Sequence, residues 1–486
     1  MNASSIHLPL SRRLRLSALL AVAALPCTPP TAHAINGGWE YQPYRIHAML
    51  ALDLPGGLAD QLSAELPAYL QRRAAAALTP AWALDVQLAA GAERAAVFST
   101  LAAASDAKPA ALAADKDKFL LLAVRWTPIG FDLSAREYDA YIQRWGAPLR
   151  RECQQESALL EQLFALAWQA IAPLAQFEVD ASDPQLVTLK PRGAALPHGA
   201  DAPPWSQPGD VFAPILRRTS RSGQLVENGI VPVPWTFIEA TEGKDKSLIF
   251  RINSGSRRPF AARRQGRVEQ LAIGVRADAE PTTLYLHSRK SDKKPLIGYE
   301  VLAENAGQES PSRVGTSDAA GEVRISPGKS RIEVLLIKHG GHLLAKLPVA
   351  PGAERRLNVP LPDDDARLTA ESRLAAVRED LIDVVARRNI LISRTRQKIE
   401  KKDFAAAQEL LRSLDDLPGN PQFTLTLTTA ARLLRSDDPQ IQRRIDQLFK
   451  ATQTLTAQFL DLKPINRLHD ELREAQQKAP PKTGKT

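Results

Sequence analysis

Cysteine is nearly absent from this chain. Cys27 and Cys153 are the two in 486 residues, and Cys27 falls in a leader-like segment, so no disulfide can form within the mature protein and its stability must come from packed cores. Long apolar runs are scarce as well. After Leu25 nothing approaches the ~20 consecutive apolar residues that cross a bilayer as a helix, which excludes a mature helical membrane span. Catalytic signatures are missing too: there is no Gly-x-Ser-x-Gly and no His-Glu-x-x-His, and the histidines after the leader (47, 198, 287, 339, 342 and 469) are scattered. Ser-x-x-Lys occurs at Ser105, Ser291 and Ser326, each time without the apolar helix that a penicillin-binding-type nucleophile needs. Gly484-Lys485-Thr486 lacks the upstream glycine and the helix of a phosphate loop. No cofactor and no metal are expected. A surplus of one charge is also lacking: Lys plus Arg number 63 against 54 Asp plus Glu, and removal of Arg12, Arg13 and Arg15 with the leader takes the formal net charge from +9 to +6. That modest excess does not suit a dedicated nucleic-acid binder.

What is present begins with export. Three arginines, the apolar stretch Leu16 to Leu25 and the small-x-small Ala32-His33-Ala34 have the form of a secretory signal peptide cleaved after Ala34. The mature protein is thus expected to be exported, periplasmic or extracellular. Ser11-Arg12-Arg13 resembles a twin-arginine start, but Arg15 stands where that pattern wants an apolar residue. Ala24-Leu25-Pro26 before Cys27 is a poor lipoprotein site.

Length and periodicity predict a multidomain α+β protein. Residues 35–180 read as a mixed α/β domain in the order βαβββα, a small sheet with helices on one face, with Lys118 to Trp126 as its buried central strand. Pro67 should kink or restart the first helix. Prolines and glycines mark residues 181–208 as a linker. Short strands without helical period make 209–290 a small all-β domain, an SH3-like barrel or a sandwich. Residues 291–362 read as a β-sandwich: Asp318 and Gly321 form a tight turn, and Gly340-Gly341 a two-residue hairpin turn. Residues 363–465 are helical, a bundle or hairpin opened by one long helix over 366–402 whose apolar seam is interrupted by Arg388 and Thr395, and 466–486 read as a disordered tail.

The segment Gly298-Tyr-Glu-Val301 with Gly315-Thr-Ser-Asp-Ala-Ala-Gly321 and the late hairpin resembles the carboxypeptidase-regulatory-like, or transthyretin-like, β-sandwich over about residues 295–361. Such modules are non-catalytic appendages where they occur. Along the whole mature chain, Trp39-Glu-Tyr-Gln-Pro-Tyr-Arg-Ile46, Trp145-Gly-Ala-Pro148, Pro234-Trp-Thr-Phe237 and Pro362-Asp-Asp-Asp365 follow one another in an order that resembles a group of uncharacterised exported proteins of planctomycete bacteria. That resemblance implies export and architecture and no activity.

Candidate sites are few. Arg257, Arg258, Arg263, Arg264 and Arg267, with Arg217, Arg218 and Arg221 on an earlier loop, could grip sulfate, phosphate or uronate groups, because the guanidinium fork matches planar anions. The alternative is a solvated loop answered by Glu239, Glu242 and Glu269. His339 and His342 are read as exposed residues flanking the glycine turn, the alternative being a metal pair that would still need third and fourth ligands absent from the nearby sequence, and Asp363 to Asp365 as helix-capping charge with calcium as the alternative. Glu137, Asp139 and Arg136 either serve a dispersed hydrolase site or alternate on a half-exposed strand. The expectation is a non-enzymatic exported binding or structural protein of the cell envelope. Its partner would be an envelope protein or an anionic polysaccharide, with the 366–402 helix offering a surface for self-association. The alternative is a secreted hydrolase or its accessory domain.

Overall fold

The computed structural model describes residues 38–478 apart from 104–108, 110–114, 200–201, 245–246, 261–266, 278–279, 291, 305–309 and 329. The expected leader with its expected cleavage site after Ala34, Arg263, Arg264, Ser105 and Ser291 lie outside the described residues. The first part comprises β1 (Tyr44–Asp53), α1 (Gly56–Leu78), β2 (Trp82–Leu88), α2 (Gly91–Ala103), β3 (Lys118–Thr127), β4 (Gly130–Asp139), β5 (Arg144–Trp145), β6 (Leu149–Cys153) and α3 (Leu159–Ala170). The sheet runs β2-β1-β3-β4-β5, with β6 also on β4; β1 is parallel to β2 and β3, and β4 is antiparallel to β3. Two expectations need correction. The sequence reading places helices on one face, whereas α1 and α3 cover the side of Ile46, Ala48 and Leu50 while α2 covers Met49 and Ala51. Strand β1 buries both faces for this reason. Helix α1 does not restart at Pro67 but continues through it. Cys153 is a buried free thiol whose Sγ donates to Gln155 O at 3.2 Å.

The next seven strands are β7 (Leu174–Val179), β8 (Leu186–Pro191), β9 (Val211–Thr219), β10 (Leu225–Pro232), β11 (Thr236–Glu242), β12 (Leu248–Ser254) and β13 (Arg267–Gly274). Six of them close into a barrel in the order β9-β11-β12-β8-β7-β13, because β13 pairs with both β7 and β9; β10 hangs on β9 outside the ring. Its interior holds Ala175, Phe177, Val187, Leu189, Phe212, Ile238 and Ala272. The expected linker 181–208 is therefore not a boundary: β8 lies inside it, and both β7 and β8 are staves of the barrel. The prolines and glycines after β8 instead lay the chain back over the α/β part, where Gly199 N donates to Ala77 O and Trp205 packs near Trp168 and Tyr44.

Strands β14 (Thr282–Ser288), β15 (Glu300–Glu304), β16 (Ser312–Thr316), β17 (Glu322–Ile325), β18 (Glu333–His339), β19 (His342–Val349) and β20 (Arg356–Leu361) form two sheets, β17-β14-β20 and β16-β15-β18-β19. Leu284, Tyr299, Val301, Leu335, Ile337 and Val359 fill the space between them. Strand β14 thus belongs to this sandwich and not to the preceding all-β domain, since its alternate residues Leu284 and Leu286 are fully buried against the second sheet. In the turn before β17, Asp318 Oδ1 accepts from the backbone of Ala320 and Glu322, and Gly321 has φ +74°. A Cβ there would stand 2.5 Å from Leu286 O, so glycine is required by space as well as by conformation.

Five helices end the described chain: α4 (Asp365–Glu400), α5 (Phe404–Asp415), α6 (Asn420–Leu433), α7 (Pro439–Phe459) and α8 (Lys463–Gln477). Helix α4 is their spine, its first half packed with α6 and α7 and its second with α5 and α8. The interruptions of its seam face inward: Arg388 donates to the carbonyls of Phe459 and Asp461 at the end of α7, and Thr395 Oγ1 bonds back to Leu391 O. A guanidinium there satisfies carbonyls that the end of α7 leaves open. The expected tail from 466 is corrected as well, because Ile465, Leu468 and Leu472 recur at helical spacing and are buried in α8. From Trp39 onward all four parts pack as one unit.

Candidate functional site

The acidic residues of β4 do not alternate on a half-exposed strand. Glu137 and Asp139 are 1% exposed and Lys118 of β3 is fully buried between them, with Nζ at 3.0 Å from Glu137, 2.9 Å from Asp139 and 2.8 Å from Ala172 O. Each carboxylate has further partners: Glu137 accepts from Ala172 N, and Asp139 from the amides of Tyr141 and Ile142. Burial pushes the Glu137 carboxyl above its ordinary value, an effect Lys118 partly offsets. Burial would strip the proton from Lys118, but Asp139 and Glu137 outweigh it and hold the ammonium above its usual range. The Tyr44 hydroxyl, pushed up to about 12 mainly by burial, joins Leu174 in the same junction. Arg136 lies alongside, its Nε donating to Gly146 O and its guanidinium 4.8 Å from the Trp145 ring. None of these groups lines the three principal clefts. The cluster ties the α/β part to the barrel.

The arginines divide. Arg217 is committed, its Nη1 3.2 Å from Glu269 and its guanidinium stacked 4.1 Å from the Tyr141 ring. Arg218, Arg257, Arg258 and Arg267 come to one end of the barrel, because Arg267 pairs with Thr219 and β12 ends at Ser254 on the same side. Arg257, Arg258 and Arg267 are exposed there. The histidines are corrected: His339 is 8% exposed, its ring stacked on Tyr299 at 4.0 Å, and His342 is half-buried. Their turn docks on the start of α4, where Arg367 donates to His339 O. Asp364 is fully buried and grips Arg367 with both carboxylate oxygens, whereas Asp363 and Asp365 pair with Lys294.

Sequence reasoning missed the largest principal cleft, a groove of about 870 Å³ where barrel, α/β part and sandwich meet. Its volume falls within the about 300–1,000 Å³ typical of ligand clefts. The walls are β10 with the following Pro232-Val-Pro-Trp235 on one side, Ile142 to Arg144 at one end, and Pro348, Val349 and Arg356 to Asn358 on the other. Of the five non-glycine residues with positive φ among the described residues, three line this groove: Gln143 (+49°), Asn228 (+51°) and Trp235 (+51°). Asparagine adopts this conformation readily, but a bulky tryptophan does so only when its surroundings over-determine it. Those surroundings are visible: Trp235 O accepts from Gly255 N at 2.9 Å, and the side chain packs against the sandwich core. Strand β10 reaches the groove through an irregular pairing in which Leu225 opposes Thr219 and the next pair is Ile230 with Arg217. Bulges of this kind re-aim a strand, and they gather at binding sites. The signal in sequence was the run Glu227-Asn-Gly229 ahead of Pro-x-Pro-Trp, which demands turns but does not say what they face.

No protein-family model matches the chain, and no curated protein matches it. Among solved structures, TolB from Acinetobacter baumannii aligns over 64% of this chain and 83% of its own at 10% identity, with a TM-score of 0.17. A likeness at that level carries no argument about fold or function.

Proposed function

We propose that this protein is an exported, non-catalytic binding protein of the cell envelope, and that its ligand seats in the groove between barrel and sandwich. The observation that carries this is the convergence of three non-glycine residues with positive φ on one cleft, the bulky Trp235 of its wall among them. The hydrolase alternative has less support: the acid pair on β4 is buried, satisfied and away from the principal clefts. A photo-crosslinking residue placed at Val226, on the groove, is compared in producing cells with one at the exposed Ile297 of the sandwich. A discrete adduct at Val226, absent from Ile297 and abolished by Trp235→Ala, is expected. Equal adducts at both positions, or adducts indifferent to Trp235, would refute the groove as the site.

A second reading keeps the anionic polysaccharide as ligand, favoured by the gathering of Arg218, Arg257, Arg258 and Arg267 at one barrel end. Its test is retention on heparin or alginate after Arg257, Arg258 and Arg267 are replaced by serine. The salt needed for elution should fall if the surface binds polyanions, and unchanged elution removes this reading.

A further inference from the structure

We infer that the occupant of the groove is an extended polypeptide segment held by strand addition to β20. This rests on the groove being the binding site. The basis is which backbone groups β20 leaves open. Thr283 N donates to Arg355 O at one end of the β14–β20 pairing and Arg289 N to Leu361 O at the other. In a parallel ladder only alternate residues of a strand bond to a given neighbour. Residues 355, 357, 359 and 361 therefore serve β14, and the N–H and C=O of Arg356 and Asn358 point to the opposite edge. That edge pairs with no other strand among the described residues, and both residues line the groove. Pro360 confirms the parity, since it sits at the next outward position, where a missing N–H costs no ladder bond.

The facing wall follows the same rule. Val233 N donates to Pro214 O, so in the antiparallel register of β9 and β10 the backbone groups of Ile230 and Pro232 face away from β9. Strand β10 is likewise the end of its sheet. Two sheet edges thus meet one cleft, each open over a short stretch and closed beyond it by a proline. Prolines at such positions protect an edge from indefinite pairing, so what remains is a docking length and not an aggregation surface. Open edges of this kind bind peptides through main-chain hydrogen bonds, with alternate side chains received by the walls.

Charge narrows the occupant. Arg144 is paired with Glu354 at 2.6 Å, and Arg356 with Glu322 at 3.0 Å. Glu227, exposed at the β10 end of the groove, has no ion-pair or hydrogen-bond partner among the described residues. The segment that fits is therefore extended and apolar or neutral along the cleft, with a lysine or arginine at the end that meets Glu227.

The test uses the full mature chain and a phage-displayed library of random linear peptides, the strongest binder being resynthesised. Three results are expected. N-methylation of successive residues of that peptide weakens binding with a period of two. Asn358→Pro, which removes one outward donor and spares the β14 ladder, weakens it about five- to tenfold while Asn358→Ala stays close to wild type. Glu227→Lys shifts the selected peptides from basic to acidic at one end. N-methyl sensitivity without a two-residue period, or equal losses in both Asn358 variants, overturns strand addition. The groove itself stands if Trp235→Ala still abolishes binding, and falls if Trp235→Ala leaves the peptide bound. A library that yields no peptide also overturns the inference. The N-methyl scan uses wild-type protein, so misfolding of a variant cannot mask the outcome.

Discussion

Lys118→Met is expected to destabilise the α/β part and its junction with the barrel by about 3–5 kcal/mol, the cost of leaving buried charge without its partner. The neutral side chain has a similar length, so little volume is lost. What is lost is a cation that touches both Glu137 and Asp139. The carboxylates cannot simply be replaced by hydrocarbon in compensation, because they also hold the amides of Ala172, Tyr141 and Ile142. The sign of the pH dependence follows. Burial already holds the Glu137 carboxyl above its ordinary value, and without Lys118 it rises further. A carboxyl whose folded value exceeds its unfolded value binds more protons in the folded state, so stability falls as pH rises between the two. The gap between variant and wild type should therefore narrow from pH 8 towards pH 5. Thermal unfolding across that range checks it, and a gap that widens in acid would contradict the assignment.

Asp364→Ala should release the start of α4 from the sandwich at a cost of about 3 kcal/mol. Asp364 accepts from Arg367 Nε at 2.8 and 3.0 Å and from Nη2 at 2.5 Å, while its own amide donates to the Tyr299 hydroxyl at 3.0 Å. Removing the carboxylate leaves a guanidinium that is 3% exposed with only His339 O and Glu371 as partners among the described residues. Hydrogen exchange is the suitable measurement, because a chain of several packed parts does not unfold in two states. Faster exchange is expected in the first turns of α4 and in the His339 to His342 turn, with β1 and β3 unchanged. Global acceleration would show that the junction supports the whole chain.

Local elements were legible because their causes are local. The boundaries of β2 are those its alternation predicts, Asp318 and Gly321 mark their own turn, and Asp403 caps α5 by accepting from Ala406 N. The groupings were not legible. Pro191 to Pro208 has the composition of a linker, and only the pairing of β7 with β13 shows that the barrel reaches back across it. Lys118 opens a strand of apolar residues, where a charge at the rim is ordinary; its burial depends on Ala172, which follows a helix far along the chain. Helix α2 escaped notice because an alanine-rich stretch has little contrast between its faces. The groove could not be read at all, since Gln143, Asn228, Trp235 and Asn358 come from three parts of the fold and nothing in their spacing associates them.

The closure of the barrel also sets an order of events. Strands β7 and β8 are made early, but β7 finds its second neighbour only when β13 has been synthesised, and β8 waits for β12. Until then a hairpin with two open edges must be carried by the α/β part through Trp39, Tyr44 and Lys118, each of which bonds to the backbone between Ala172 and Leu174. Pairings so distant in sequence form slowly and leave strands exposed meanwhile. The buried charges are thus placed where a growing chain first needs a clamp, and a chain shortened before Arg267, which lacks β13, should retain its first sheet yet be unable to finish the second.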